Sequence, residues 1–437
     1  MNPPPATLPS LRAQLFAATW LSYAGFYFCR KVFGVVRGPL RDALGRDDLA
    51  VSHLWTVFLL SYMLGQFVTA ALGRRLPARQ ILIGGMLASS ATTWAAGAVL
   101  WPGRTRYLLL LLAMAMSGWV QATGWASNVA LMTNWTRRTE RGRIMAIWGT
   151  CYQIGSVLAK AFAAFVFGWL GLMWSFWGAA LVLLVVTLLF VAMARESPES
   201  VGLPPMDSPV PLEPSTSRAA SAAGSGQPAL SSPGATAVED AAVLRRIVAM
   251  GLIYFSFKFV RYALDSWSAL LASEHFHASI PVAGYLSTMF DWMGFAGVLC
   301  SGWISDRLFG GRRSPVIFGM TVGCFFSTVL LWTIGLSSIG LYAALLGLIG
   351  FLAMGPDSLL SGACAMDVGS RKHAAFAAAM INGLGAIGPI FEEPLIGWAK
   401  TTHGLSAVFF VLVAMMAIAV LATGGFWWAL RRDRMPL

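Results

Sequence analysis

Charge is scarce in this chain. Only 11% of its 437 residues are Asp, Glu, Lys or Arg, while 57% are hydrophobic. A soluble domain carries roughly 25% charged residues, so a water-exposed globular surface is excluded and a bundle held in lipid is implied. Cysteine is scarce too. Cys29, Cys151, Cys300, Cys324 and Cys364 all fall in apolar stretches, with neither the paired spacing of a metal site nor a disulfide framework. The five histidines, His53, His275, His277, His373 and His403, are scattered over helix ends and loops. No nucleophile–base set, metal-ligand cluster or phosphate-cradling glycine loop is legible. The chain therefore reads as no enzyme, with no cofactor and no metal. Its start, MNPPPATLPSLRAQ, lacks the apolar core and cleavage site of a secretory signal, and the first helix is expected to be retained.

The chain does have apolar segments of spanning length. Twelve are expected, at about 11–36, 53–73, 79–101, 106–133, 143–169, 172–194, 243–272, 281–304, 314–335, 338–364, 374–399 and 404–430. The predicted fold class is all-α integral membrane. The longest loop, 195–240, is rich in Pro, Ser, Ala and Gly and reads as a flexible linker. It separates an N-terminal six-helix half (1–194) from a C-terminal one (241–437).

The net charge of +12 raises nucleic acid as a partner, but the positions of the charges argue against it. With the N-terminus inside, 20 of the 31 Lys and Arg fall on the inner side and six on the outer, Arg37, Arg41 and Lys400 among these six. That excess fits a positive-inside protein with both termini cytoplasmic. Five cations remain within helices: Arg30, Lys31, Lys160, Lys258 and Arg261.

The halves are related to each other. Gly65 and Gly73 correspond to Gly294 and Gly302, each pair 229 positions apart, and Arg30 and Arg261 are 231 apart. Such repeats build transporters with a substrate site near the midplane, between the halves. The first helix reads YAGFYFCRK from Tyr23 to Lys31. Helical spacing puts Tyr23, Tyr27 and Arg30 on one face. A cation with two phenols suits an anionic, hydroxylated solute, although an Arg near a helix end can also snorkel to the surface. The seventh helix reads FKFVRYALDSW, with Lys258 and Arg261 on one face and Asp265 four positions on, where it can pair with Arg261. Lys160 is expected to snorkel to the outer surface.

Together these residues are similar to the organophosphate:phosphate antiporter family of major facilitators. That group holds glycerol-3-phosphate and hexose-phosphate exchangers and the eukaryotic glucose-6-phosphate translocases. The resemblance covers nearly the whole chain except the linker. It is carried by YAGFYFCRK (23–31), GWVQATGWASN (118–128), ERGRIMAIW (140–148), SPESVGLPP (197–205), RYALDSW (261–267), SGWISDRLFGGRR (301–313) and GPDSLLSG (355–362). It implies the major facilitator fold, twelve helices in two pseudo-symmetric halves, with Arg30 and Arg261 binding a phosphoryl group. Lys31, Tyr23, Tyr27, Tyr152, Gln66 and Lys258 are the further candidates for the substrate site. Gln66 and Tyr152 stand where the glycerol-phosphate exchangers carry Lys and His. The eleventh helix departs from the family, with Glu392 and Glu393 in GPIFEEPLIGW where small residues are usual. Together with Asp265, Asp291, Asp306 and Arg307 they are candidates for gating or coupling. Asp291 is expected to meet Lys258 or Arg261, Glu392 and Glu393 to meet Lys160, Lys258 or Lys31, and Asp306 with Arg307 to hold an inner gate.

Three readings follow. The first is an exchanger of a small phosphorylated anion for inorganic phosphate. The second is a hexose-phosphate sensor of the same fold that does not transport. The third is a proton-coupled organic-anion symporter, suggested by Glu392 and Glu393. The expected setting is a bacterial inner membrane, the expected state a monomer, and the only further partner the lipid bilayer.

Overall fold

Backbone amides and carbonyls have no water to bond with in lipid, and a helix satisfies them internally. The computed structural model describes residues 8–101, 106–137, 140–206, 233–360 and 365–432. Among these residues there is no strand. The helices are α1 (Leu8–Val35), α2 (Arg37–Leu44), α3 (Asp48–Leu72), α4 (Ala78–Val99), α5 (Tyr107–Gln121), α6 (Thr123–Asn134), α7 (Arg141–Trp148), α8 (Thr150–Leu170) and α9 (Leu172–Met193) in the first half. The second half holds α10 (Pro233–Phe276), α11 (Ile280–Leu308), α12 (Ser314–Thr333), α13 (Ile339–Ser358), α14 (Ala365–His403) and α15 (Leu405–Arg432). Single residues, Ala122 and Gly149, separate α5 from α6 and α7 from α8, so each pair continues one span.

Nine of the spans are long and apolar enough by composition alone to cross a membrane. The other three long helices among the described residues are α1, α11 and α14. They carry Arg30 with Lys31, Asp291, and Glu392 with Glu393. These charges lie within the bundle, as do those of α8, α10 and α13. This is an integral, multi-pass membrane protein.

Each half packs around its own apolar core. Phe33, Trp55, Phe58 and Phe176 belong to the first half's core, and Trp267, Phe290, Tyr342 and Phe409 to the second's. Glycines let paired helices approach within each half. A Cβ on Gly118 would stand 2.2 Å from the Phe58 carbonyl oxygen, and one on Gly350 2.2 Å from that of Phe290. The two contacts are related by nearly the same interval as the sequence repeat.

Residues 207–232, the bulk of the expected linker, lie outside the described residues, as do 361–364 at the end of GPDSLLSG. The described start of the linker is anchored. Glu196 accepts hydrogen bonds from the backbone N–H groups of Ala78 (3.0 Å) and Arg79 (2.8 Å) at the start of α4, a helix end that favours anions. On the same face of the bundle Arg12 pairs with Glu140. The backbone N–H of Arg137 and the Arg12 guanidinium hold the Glu140 carboxyl below the usual range.

The halves meet at the face opposite the chain termini. There α8 lies on α11 and α3 on α14. A Cβ on Gly284 would stand 2.7 Å from Ala164 Cβ, and one on Gly397 2.3 Å from Ser52 Oγ. The stretch after α1 was expected to be an outer loop. It folds instead into α2, with its first residue, Arg37, fully buried.

Two outcomes check this packing. Gly118→Val and Gly350→Val should each lower Tm in detergent, since overpacking costs about 1–3 kcal/mol; an unchanged Tm for both would contradict the close approach. A Cβ on Gly168 would lie 3.7 Å from Pro281 Cβ, close to disulfide spacing. The double variant Gly168→Cys, Pro281→Cys should therefore cross-link α8 to α11 on mild oxidation, as read by mass spectrometry of the joined peptides. Absence of the link would place the halves apart on this face.

Candidate functional site

Charges inside the bundle are arranged in layers along α1 and α10. The layer nearest the termini face is built around Arg30 and Arg261. Arg30 comes from α1 and lies over the rings of Tyr27 (5.1 Å) and Tyr62 (4.8 Å). Its Nε donates to Gln121 Oε1 at 3.3 Å. Its Nη2 has no hydrogen-bond partner among the described residues. Arg261 comes from α10, and its Nη1 donates to Asp357 Oδ2 of α13 at 3.0 Å. Tyr27 and Tyr262 each lie within electrostatic reach of both arginines. Tyr152 stands within reach of Arg261 and Asp357, and Lys258 packs its ammonium over Tyr254 at 4.8 Å. The Arg261 side chain keeps 19% of its surface accessible, so this layer faces a watery space.

Other expected members of the site take more distant places. Tyr23 is buried, with its ring against Tyr27, Trp125 and Trp148, so it backs the site. Gln66 is half-buried on α3, one turn beyond Tyr62. Lys31 is next to Arg30 in sequence but about 100° around the helix. It turns from the arginines to α10, where it pairs with Asp265.

That pairing begins the second layer. Asp265 was expected to pair with Arg261, one turn away. It is taken instead by two ammonium groups of the other half, Lys31 and Lys160, the latter at 2.7 Å. Lys160 was expected at the outer surface. It is buried near the middle of α8, 2.7 Å from Asp291 Oδ2. Asp291 also accepts from Ser156 Oγ at 3.0 Å. Asp291 thus pairs with Lys160, and not with Lys258 or Arg261 as expected. A charge at the bilayer centre costs roughly 2.5–3.5 kcal/mol on insertion scales, so four such groups pair with one another.

The third layer is sealed from water. Arg37 and Glu393 side chains are both 0% exposed and bond in the two-pronged manner of guanidinium and carboxylate, at 2.9 and 3.2 Å. Arg37 also donates to Ser52 Oγ and Ser266 Oγ, each at 2.7 Å, and stacks 3.4 Å from the centre of the Trp267 ring. Glu393 therefore meets Arg37, and none of the three lysines expected for it. Glu392 is equally buried, and neither of its oxygens has a hydrogen-bond partner among the described residues. The Trp267 N–H is near it without reaching bonding geometry. A fourth layer closes the far face, where Lys400 bridges Asp48 (2.5 Å) and Glu274 (2.8 Å), and Arg41 joins both acids.

Every one of these inter-half pairs lies between the arginine layer and the far face. Asp306 and Arg307, the expected inner gate, stand exposed at the end of α11 on the termini face. Among the described residues they form no ion pair across the halves.

Several participants escaped the sequence reading. Tyr62, Gln121 and Tyr262 carried no charge to mark them. Arg37 sat at the end of an apolar run and looked like a loop residue. Asp357 had a signal, an acid in the apolar stretch GPDSLLSG, which was used only as a mark of resemblance.

Comparison with known proteins agrees with this architecture. The Major Facilitator Superfamily profile matches residues 19–259 and 248–436. The "Membrane sensor protein UhpC" of Escherichia coli (strain K12) is 30% identical, over 93% of this chain and 90% of its own. The "Glycerol-3-phosphate transporter" of Haemophilus influenzae (strain ATCC 51907 / DSM 11121 / KW20 / Rd) is 27% identical, over 95% and 91%. Among solved structures, a bacterial homolog of the human lysosomal transporter Spinster, inward-facing and unoccupied, superposes with a TM-score of 0.72. It is 16% identical and the match covers 96% of this chain and 97% of that one. Two repeats, an arginine from each in one layer between the halves and these full-length matches place the chain in the Major Facilitator Superfamily, within its organophosphate:phosphate antiporter family.

Proposed function

We propose that this protein is a secondary transporter that carries a phosphorylated organic metabolite across the membrane in exchange for inorganic phosphate. The observation that carries the reading is the pairing of Arg30 and Arg261, one from each half, around shared tyrosines in a water-accessible layer. A planar guanidinium offers a phosphate two parallel donors. Among the described residues Arg30 Nη2 has no partner to give up, and Arg261 Nη1 is held by a carboxylate that a phosphoryl group can replace. The named activities of the relatives, glycerol-3-phosphate transport and hexose-phosphate transport, support the substrate class.

Exchange follows from electrostatics. Carrying unneutralised arginines through a closed, low-dielectric intermediate is costly, so the halves should rock readily only when loaded. The site opens toward the face that bears the termini, which the positive-inside excess assigns to the cytoplasm. Asp306 and Arg307 then become candidates for closing that face in the opposite state. The protein works as a monomer in this scheme, in a bacterial inner membrane.

Glu392 favours a second reading. A carboxyl sealed from water, with no hydrogen-bond partner among the described residues, is a group that can take and release a proton, and that would couple an organic anion to a proton instead. The UhpC relative, a membrane sensor by name, adds a receptor that binds without transport.

One experiment separates these. In liposomes, uptake of labelled phosphate should need internal phosphate and be blocked by glycerol 3-phosphate or glucose 6-phosphate. Arg30→Ala or Arg261→Ala should reduce it by about 100-fold or more, since loss of a charged hydrogen bond costs about 1.5–3 kcal/mol and each arginine makes two. Uptake that ignores internal phosphate and follows an imposed pH gradient would select proton coupling. Binding of an ester without uptake would select the sensor.

A second outcome concerns geometry. Arg30→Lys and Arg261→Lys keep the charge but lose the fork, so both should retain charge-driven binding at a raised KM. Full activity in both variants would contradict two-pronged recognition.

A further inference from the structure

Two neighbouring carboxyl groups of α14 stand beside one guanidinium. Arg37 turns both prongs to Glu393, at 2.9 and 3.2 Å, and bonds Ser52 and Ser266 besides. Glu392 is as deeply buried as Glu393, and neither of its oxygens has a hydrogen-bond partner among the described residues. The Trp267 N–H beside it is also without one among them. A carboxylate sealed in a protein interior with no partner is costly, and a proton removes the cost by removing the charge.

The place of Glu392 in the stack decides which water it can meet. It is faced by Glu393 on its own helix, by Arg37 at the start of α2 and by Asp265 of α10. Toward the termini face, Asp265 is bonded to both Lys31 and Lys160, so it offers no seat to a proton. From α3 come Ser52, bonded to Arg37, and Asp48 one turn earlier, which Lys400 and Arg41 hold in the far-face layer with Glu274 of α10. The sequence of α15 has no ionisable residue from Leu405 to Gly425. Arg37 and Glu393 belong to opposite halves, so the motion that opens the far face parts them and admits far-face water to Glu392.

We propose that Glu392 is a proton-binding site that latches the far face: it takes a proton from far-face water as that face closes and returns it to the same side on opening. With the face open, Glu392 and Glu393 are both solvated and ionised. With it closed, the two prongs of Arg37 serve Glu393, and Glu392 is a neutral acid. Each closure therefore binds one proton, and acid on the far face favours the closed state. By linkage the open-to-closed ratio rises about tenfold for each unit rise in pH, as long as the open-state carboxyl is ionised. Coupling a proton to transport needs a group that meets water on both sides in turn, and Glu392 meets one. The latch goes beyond the exchange proposed above and holds whatever the substrate is.

The test reads the far face as pH is varied. Spin labels at Arg46→Cys and Thr402→Cys, exposed on that face in opposite halves, would give the open-to-closed ratio of the full-length protein in nanodiscs by pulsed electron paramagnetic resonance. With Glu392 present the ratio should rise about tenfold per unit between about pH 6 and pH 8. Glu392→Gln, neutral at every pH, should stay closed with no slope. Glu392→Asp keeps the carboxyl and should keep the slope. A slope that persists in Glu392→Gln, or no slope with Glu392 present, overturns the latch. If Glu392→Gln does not fold, Glu392→Met supplies the same comparison. A second measurement separates the latch from coupling. In liposomes an imposed pH gradient should change the rate of phosphate exchange without driving accumulation. Accumulation that follows the gradient and is lost in Glu392→Gln would make Glu392 a coupling group and overturn the one-sided site.

Discussion

Charge that enters the membrane interior must find a partner, and here the partners lie in opposite halves of the molecule. Lys31 and Lys160 of the first half meet Asp265 and Asp291 of the second, and Arg37 meets Glu393. No one of these groups could remain charged alone at that depth at acceptable cost. The pairs therefore hold the halves together on the far-face side of the arginines. The accessibility falls in step, from 19% at Arg261 to zero at Arg37 and Glu393. From Arg30 to Arg37 the chain rises roughly 10 Å, so the seal is thick.

Buried ion pairs add little net stability, because desolvation offsets most of the attraction. Their value in this protein is that they are conditional. When the far face opens, each charge can exchange its partner for water, so opening avoids the full penalty of a bare buried ion. Breaking a pair by substitution is different, since it strands one charge in the closed state. A rocking carrier needs two states of similar free energy, and interfaces made of exchangeable pairs provide that more readily than a large apolar interface.

Much of this was legible in the sequence. The twelve spans appear at nearly the expected places, since long apolar runs can only be helices in lipid. Arg30 and Arg261 stood out because an arginine in such a run is costly and because each lies at the same place in its repeat. What failed was partner assignment. Asp265 has Arg261 one turn away on its own helix, and local spacing favours that pair. The contact it makes, to Lys31 and Lys160, depends on how the halves are pressed together, and no local pattern records that. Lys160 looked like a snorkelling side chain because burial against α11 is likewise a tertiary fact. Arg37 was placed in a loop because a cation at the end of an apolar run is usually just that. Glu393, placed with the lysines for the same reason, was the clue that a buried cation was missing from the account.

The claim that inter-half charge pairs keep the far face closed is open to one direct measurement. Spin labels at Arg46→Cys and Thr402→Cys, exposed far-face sites in opposite halves, would report their separation by pulsed electron paramagnetic resonance. The described native cysteines are buried or half-buried. With Arg37 intact the distribution should be dominated by one short distance. With Arg37→Leu, which strands Glu393 at a cost of about 3–5 kcal/mol in the closed state, a longer distance should appear and predominate. A distribution unchanged by Arg37→Leu would show that the far face is closed by apolar packing alone, and the charge layers would lose their place at the centre of the account.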